Sequence, residues 1–169
     1  MVLTGRETSE YHFAMRISLI KTAPGAMQAM AGLEHYLKDC GLEKPLLELV
    51  KIRASQINGC AFCLDMHTLD ARAAGETEQR LHLVAAWEEA PFFNDRERAA
   101  LAWTEAVTRI SETHAPDALY DKLRAHFSEK EIADLTLAIA TINAWNRLMI
   151  AFRVPAGIYK PKSPQTTAS

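Results

Sequence analysis

Cys60 and Cys63 stand three residues apart, His67 follows four after the second, and Asp70 three after that. Spacings of three and four put neighbours on one face of an α-helix, which turns by about 100° per residue. Phe62, Met66, Leu69 and Ala73 make an apolar stripe beside this one, and Leu64 and Ala71 flank the cysteines on the other side. Only Asp65, Thr68 and Arg72 form a polar face. The Cys–His stripe therefore falls within the buried arc, where thiols are shielded from bulk water and reached through a cleft. Asn58 is placed to cap the helix, with Cys60 in its first turn and Cys63 one turn on. Unpaired backbone N–H groups and the positive end of the helix dipole favour a thiolate there, and His67 can take or relay its proton. Such a thiolate attacks a peroxide oxygen and becomes a sulfenic acid. A second thiol nearby condenses with it to a disulfide before further oxidation.

Three plainer readings compete. A buried cysteine is often no more than a small core residue, but the spacing, the helix start and the aligned histidine favour chemistry. Two cysteines and a histidine are also three candidate zinc ligands. A fourth would have to come from Cys40, His35 or another distant residue, and the chain has no second CxxC and no HxxxH. Haem attachment needs a histidine directly after the second cysteine, where Leu64 stands.

The elements that must hold these residues are helices. Helix formers dominate, strand-like alternation is scarce, and about seven helical segments can be read. They cover residues 24–40, ended by Gly41; 43–57, broken by Asn58-Gly59; 60–74, stopped at Gly75; 76–89, ending before Pro91; 94–112; 117–127; and a last one capped by Ser128 with Glu131 three residues on. The chain of 169 residues is long enough for one full core, with no repeat and no linker. Residues 1–15 read as a flexible extension, 16–158 as the domain, and 159–169 as a disordered tail. A formal charge of −2, spread along the chain, gives no basic stripe for nucleic acid. The most apolar stretch, 132–152, carries Asp134, Asn143, Asn146 and Arg147 and reads as a buried helix rather than a membrane span. No signal peptide is read at the N-terminus, and the odd count of three cysteines points to catalytic thiols or a metal rather than structural disulfides. The expected compartment is the cytoplasm.

Residues 48–76, ELVKIRASQINGCAFCLDMHTLDARAAGE, resemble the AhpD-like alkylhydroperoxidases within the carboxymuconolactone decarboxylase family. The motif is a glutamate twelve residues before a CxxC, then a histidine four after its second cysteine. APFFNDRERAALAWTEAVT (90–108) and IATINAWNRLMIAFRVP (139–155) extend the likeness, which covers roughly residues 16–158. The resemblance implies an all-α bundle assembling into trimers or hexamers, with the site near a subunit boundary. It also implies Cys63 as the peroxide-attacking thiol, Cys60 as its partner and proton donor, and Glu48 and His67 as members of a proton relay. One position departs: the fully equipped relatives carry a histidine between the cysteines, where this chain has Phe62. The decarboxylases that name the family lack the cysteine pair, which argues against decarboxylation.

By itself Glu48 shares a polar sector with Lys51 and Ser55, so periodicity alone favours a solvated pair with Lys51; the spacing to Cys60 reverses that through the resemblance. His35, His82, His114 and His126 read as surface residues and Cys40 as a bystander. Asn143 and Arg147 lie four apart on the last helix with Trp145 and Asn146 between them. Packing is the plainer role for each, and walling the thiol cleft the functional one for Trp145 or Arg147. The expectation is a homo-oligomeric thiol peroxidase without cofactor or metal, taking a hydroperoxide and a thiol or lipoyl-type reductant. Its rivals are a thiol–disulfide oxidoreductase with incidental peroxidase activity and a non-enzymatic zinc-binding or structural module.

Overall fold

The longest helix organises the chain. In a computed structural model, which describes residues 14–161, α9 runs Glu129–Phe152. Its start is fixed by a capping box: the Ser128 hydroxyl accepts from the Glu131 N–H, and the Glu131 carboxylate accepts from the Ser128 N–H at 2.8 Å. It is long and apolar enough to cross a membrane by length and composition. Here it is the central strut of a helical bundle, burying Leu135, Ala138, Ile139 and Ile142 together with polar Asp134, Asn143 and Asn146. Each fully buried Leu or Ile contributes roughly 1.5–3 kcal/mol.

The other helices pack round it in chain order. They are α1 (Leu19–Thr22), α2 (Pro24–Lys38), α3 (Lys44–Asn58), α4 (Ala61–Ala73), α5 (Glu78–Leu83) with a 3-10 turn at Val84–Ala86, α6 (Asp95–Thr108), α7 (Ile110–Thr113) and α8 (Asp117–Arg124). Among the described residues every regular element is helical, so the all-α expectation holds. α3 is the second strut and packs against α4, α6 and α9. Leu47 and Val50 join Trp103, Leu123, Leu135 and Ile139 in one apolar cluster. Leu49 and Ile52 join Leu81, Val84, Trp87 and Leu101 in a second. A third and smaller cluster, Ala54, Ile142 and Met149, encloses Cys60 and Cys63.

Several boundaries differ from the expected ones for local reasons. The segment expected as one helix over 94–112 breaks at Arg109, because the Thr113 hydroxyl donates to the Ala106 carbonyl at 2.7 Å, where a continuing helix would place a backbone N–H. The helix expected over 76–89 starts late, capped by Thr77, and tightens into the 3-10 turn before Pro91, whose ring disfavours helical geometry in the residue ahead of it. α1 was not expected; Pro24 confines it to four residues. The described residues run to 161, and near this end the Gly157 N–H donates to Asp65 at 2.8 Å and the Tyr159 hydroxyl to Asp70 at 2.7 Å. The extension expected over 1–15 and the tail over 159–169 otherwise lie almost wholly outside the described residues.

Candidate thiol redox site

The site begins where α3 stops. Gly59 adopts φ +69°, a left-handed geometry that suits glycine, and turns the chain so that the Cys60 N–H bonds the Ser55 carbonyl at 3.0 Å. Cys60 is then the N-cap of α4, its sulfur accepting from the Cys63 N–H at 3.4 Å. This corrects the expected cap. Asn58 is the last residue of α3 and faces the bundle interior, its amide donating to the Ala54 carbonyl, Asn143 Oδ1 and Asn146 Oδ1, each at 2.9 Å.

The two sulfurs lie 2.7 Å apart, inside van der Waals contact and beyond the covalent length of about 2.05 Å. Each cysteine is 1% exposed. The Cys60 thiol is lowered to about 7, first because the Cys63 thiol hydrogen-bonds its sulfur; the Cys63 N–H, the Asn146 amide and the Phe62 N–H add to this against the cost of burial. The Cys63 thiol is pushed up, first by that same bond to Cys60, then by burial and the Cys60 charge. The pair thus holds one proton and one negative charge near neutrality and titrates as a unit. The resemblance gave the attack to Cys63, whereas the resting charge sits on Cys60. Both can hold, because a charged Cys60 sulfur at 2.7 Å is the nearest base for the Cys63 proton.

One turn beyond Cys63, buried His67 meets Glu48 across the α3–α4 seam, Nδ1 to Oε2 at 2.9 Å. A carboxylate there fixes the proton on Nδ1 and leaves Nε2 as the exchangeable nitrogen. The periodicity reading that paired Glu48 with Lys51 is corrected: Lys51 reaches Glu34 on α2 at 3.2 Å, and Trp145 donates to the other Glu34 oxygen at 3.1 Å. Cys63, His67 and Glu48 line a cavity of about 580 Å³ with Phe62, Met66 and Trp145. Trp145 therefore walls the thiol cleft, while exposed Arg147 turns back onto the Asn143 carbonyl at 2.8 Å.

The structure brings Cys60, Cys63, His67 and Glu48 together and leaves the other candidates apart. His35, His82, His114 and His126 are exposed. Cys40 follows α2, and its carbonyl accepts from Lys130 at 2.8 Å. Among the described residues no group of three or more His, Cys, Asp or Glu is placed to hold a metal ion.

Two contributors escaped the sequence reading. Tyr159 bonds Asp70, and burial, then Asp70, then the nearby Glu48 charge raise its hydroxyl to about 12. Asn146 is fully buried, donates to Ser55 Oγ at 3.1 Å, and lowers both thiols through its amide. An asparagine on an almost wholly apolar helix was the available signal. For the reduced protein, ultraviolet thiolate absorbance should titrate with an inflection near 7. Asn146→Ala should move it toward the ordinary thiol value of about 8.5. An unmoved inflection would remove Asn146 from the site.

Comparison with known proteins gives the family and the fold. Residues 24–106 match the carboxymuconolactone decarboxylase family. A crystal structure of a protein of unknown function from Agrobacterium tumefaciens, provisionally assigned as the antioxidant defence protein AhpD, superposes with a TM-score of 0.84 at 46% identity. That match covers 86% of this chain and 100% of the other. The chain is an AhpD-like member of the carboxymuconolactone decarboxylase family. The uncharacterized protein YdfG of Bacillus subtilis is 46% identical to this AhpD-like chain over 138 residues, 82% of this chain and 94% of YdfG. An uncharacterized peroxidase-related protein from Silicibacter sp. TM1040 shares 25% identity at a TM-score of 0.69, covering 76% of this chain and 69% of its own.

Proposed function

We propose that this AhpD-like chain is a thiol-dependent peroxidase that reduces organic hydroperoxides at Cys63, with Cys60 as base and resolving thiol and His67–Glu48 as proton relay. The observation that carries the reading is the 2.7 Å sulfur pair beside a buried His–Glu pair, facing a mostly apolar cavity. The antioxidant and peroxidase-related assignments of the relatives support an enzyme of this kind.

The steps balance. The Cys63 thiol passes its proton to the Cys60 thiolate as its sulfur attacks the terminal peroxide oxygen; the O–O bond breaks, and the departing alkoxide takes a proton relayed by His67. Cys60 then yields its proton and attacks the Cys63 sulfenic acid, forming the S–S bond and releasing water. The sum is one thiol, one thiolate, one hydroperoxide and one proton giving a disulfide, an alcohol and water. Two reducing thiols restore the starting state. Assembly into homo-oligomers and residence in a reducing cytoplasm belong to the same proposal. A second reading, general thiol–disulfide exchange, is favoured by the lowered Cys60 thiol at a helix start.

The test is peptide mapping after mild hydroperoxide and alkylation. The expected outcome is a Cys60–Cys63 disulfide with Cys40 alkylated, formed in step with one equivalent of alcohol. Oxidation by disulfide reagents but not by any hydroperoxide would transfer the assignment to the exchange reading. Stoichiometric zinc in the purified protein, whose removal by a chelator raises the free-thiol count, would move it to the metal-binding one.

A further inference from the structure

The two sulfurs are not reached from the same side. Cys63 lines the larger cavity with His67 and Glu48, whereas Cys60 lines a second cavity of about 410 Å³ with Gly59, Ala61 and Ala151. Phe62, Met149 and Val154 line both and form the partition between them. The second volume lies in the range of small-molecule sites, roughly 300–1,000 Å³.

The two cavities also differ in charge. The larger carries Glu34, Glu48 and Asp70 against Lys51 and His67. The second carries Arg16 and Arg153, and among the described residues no carboxylate lines it. Arg16 is held there by the N-terminal segment lying across the end of α9, its backbone N–H bonding the Phe152 carbonyl at 2.9 Å and its guanidinium the Ala151 carbonyl at 3.1 Å. A guanidinium has five donors in a planar fork that matches a carboxylate, and the bond to the Ala151 carbonyl engages only Nη1 among the described residues.

We propose that the arginine-lined cavity is the docking site of the reductant, that the reductant is a small thiol bearing a carboxylate, and that it attacks Cys60. The inference rests on the Cys60–Cys63 disulfide of the proposed function. A neutral hydroperoxide suits the apolar, carboxylate-bearing cavity at Cys63, and an anionic thiolate is repelled from it. In the cavity at Cys60 the same thiolate meets the guanidinium of Arg16. Its sulfur forms a bond to Cys60, and the Cys60–Cys63 bond breaks with its electron pair going to Cys63, which is protonated. A second thiol attacks the mixed disulfide, releasing the reductant as its own disulfide and returning Cys60 as thiol. Two thiols are oxidised and one protein disulfide is reduced. Cys63 is not a disfavoured leaving group in this step, because the first cause of its raised thiol is the bond to a charged Cys60, and Cys60 is neutral in the mixed disulfide.

The experiment starts from the full chain oxidised with diamide, so that it does not depend on peroxide chemistry. Reduction is timed with 3-mercaptopropionate and with cysteamine at matched thiolate concentrations. At low salt the anionic thiol should be roughly tenfold faster or more, the scale of electrostatic guidance into a charged cleft. The ratio should shrink with added salt and with Arg16→Ser. In the single-cysteine arms, dithiodipropionate should modify Cys60 in Cys63→Ser at least about tenfold faster than Cys63 in Cys60→Ser, by the same guidance. Equal rates for the two thiols, or preferential adduct at Cys63, would overturn the proposal. If diamide gives the disulfide and the charge preference holds while hydroperoxides give none, the peroxidase reading falls and this site stands. If diamide forms no Cys60–Cys63 disulfide, both fall.

Discussion

Cys63→Ser is expected to abolish hydroperoxide turnover, whereas Cys60→Ser should still consume one equivalent of peroxide and stop at a sulfenic acid on Cys63. The asymmetry follows from what each sulfur faces. Cys63 borders the cavity that also holds His67 and Glu48, so a hydroperoxide docked there meets its sulfur and the proton relay together. Cys60 stands behind it as N-cap of α4, 2.7 Å away, and in the proposed mechanism serves as base and then as the resolving thiol. A serine at position 63 leaves no thiol lining the larger cavity. A serine at position 60 removes the base and the resolver but not the nucleophile, so the first step slows and the second cannot occur. A dimedone-type reagent followed by peptide mapping reads the difference. Labelling at Cys60 in Cys63→Ser, with none at Cys63 in Cys60→Ser, would exchange the roles and make the lowered Cys60 thiol the attacking one.

The stripe of Cys60, Cys63 and His67 was legible because it is a local property of one helix, and α4 preserves it with all three residues buried. Glu48 was not legible from periodicity. Its partner lies across a helix seam, and the lysine that should have claimed it, Lys51, is drawn away by Glu34 from α2, which is far in sequence. Asn58 shows the same limit from another side. The break after α3 was readable in Asn58-Gly59, but which residue caps the next helix depends on how far the left-handed Gly59 swings the chain. That swing made Cys60 the cap and freed the Asn58 amide for Asn143 and Asn146. Asn146 belongs to this buried network, and no spacing rule links it to the cysteines. The split of α6 from α7 turned on one hydroxyl, that of Thr113, which no propensity anticipates.

The second large effect belongs to His67, and the choice of oxidant separates what it does from what it only holds in place. In the proposed step the O–O bond breaks with the electron pair leaving on an alkoxide, a poor leaving group unless a proton reaches it. His67 supplies that proton from Nε2 while Glu48 keeps Nδ1 protonated, 2.9 Å away. His67→Ala should therefore slow disulfide formation by an alkyl hydroperoxide roughly a hundredfold or more, the typical loss of an acid–base group. Glu48→Gln should cost less than Glu48→Ala, because an amide oxygen can still accept from Nδ1–H and hold the ring. A peroxyacid changes the demand: its leaving group is a carboxylate, stable without a proton. The His67→Ala defect should then shrink by at least about tenfold relative to the alkyl hydroperoxide, because the proton that general-acid catalysis supplies is no longer needed. Measured under single-turnover conditions, an equal defect with both oxidants would assign His67 to generating the Cys63 thiolate instead of protonating the product. A defect that also appears in diamide oxidation would reduce it to holding the sulfurs in register.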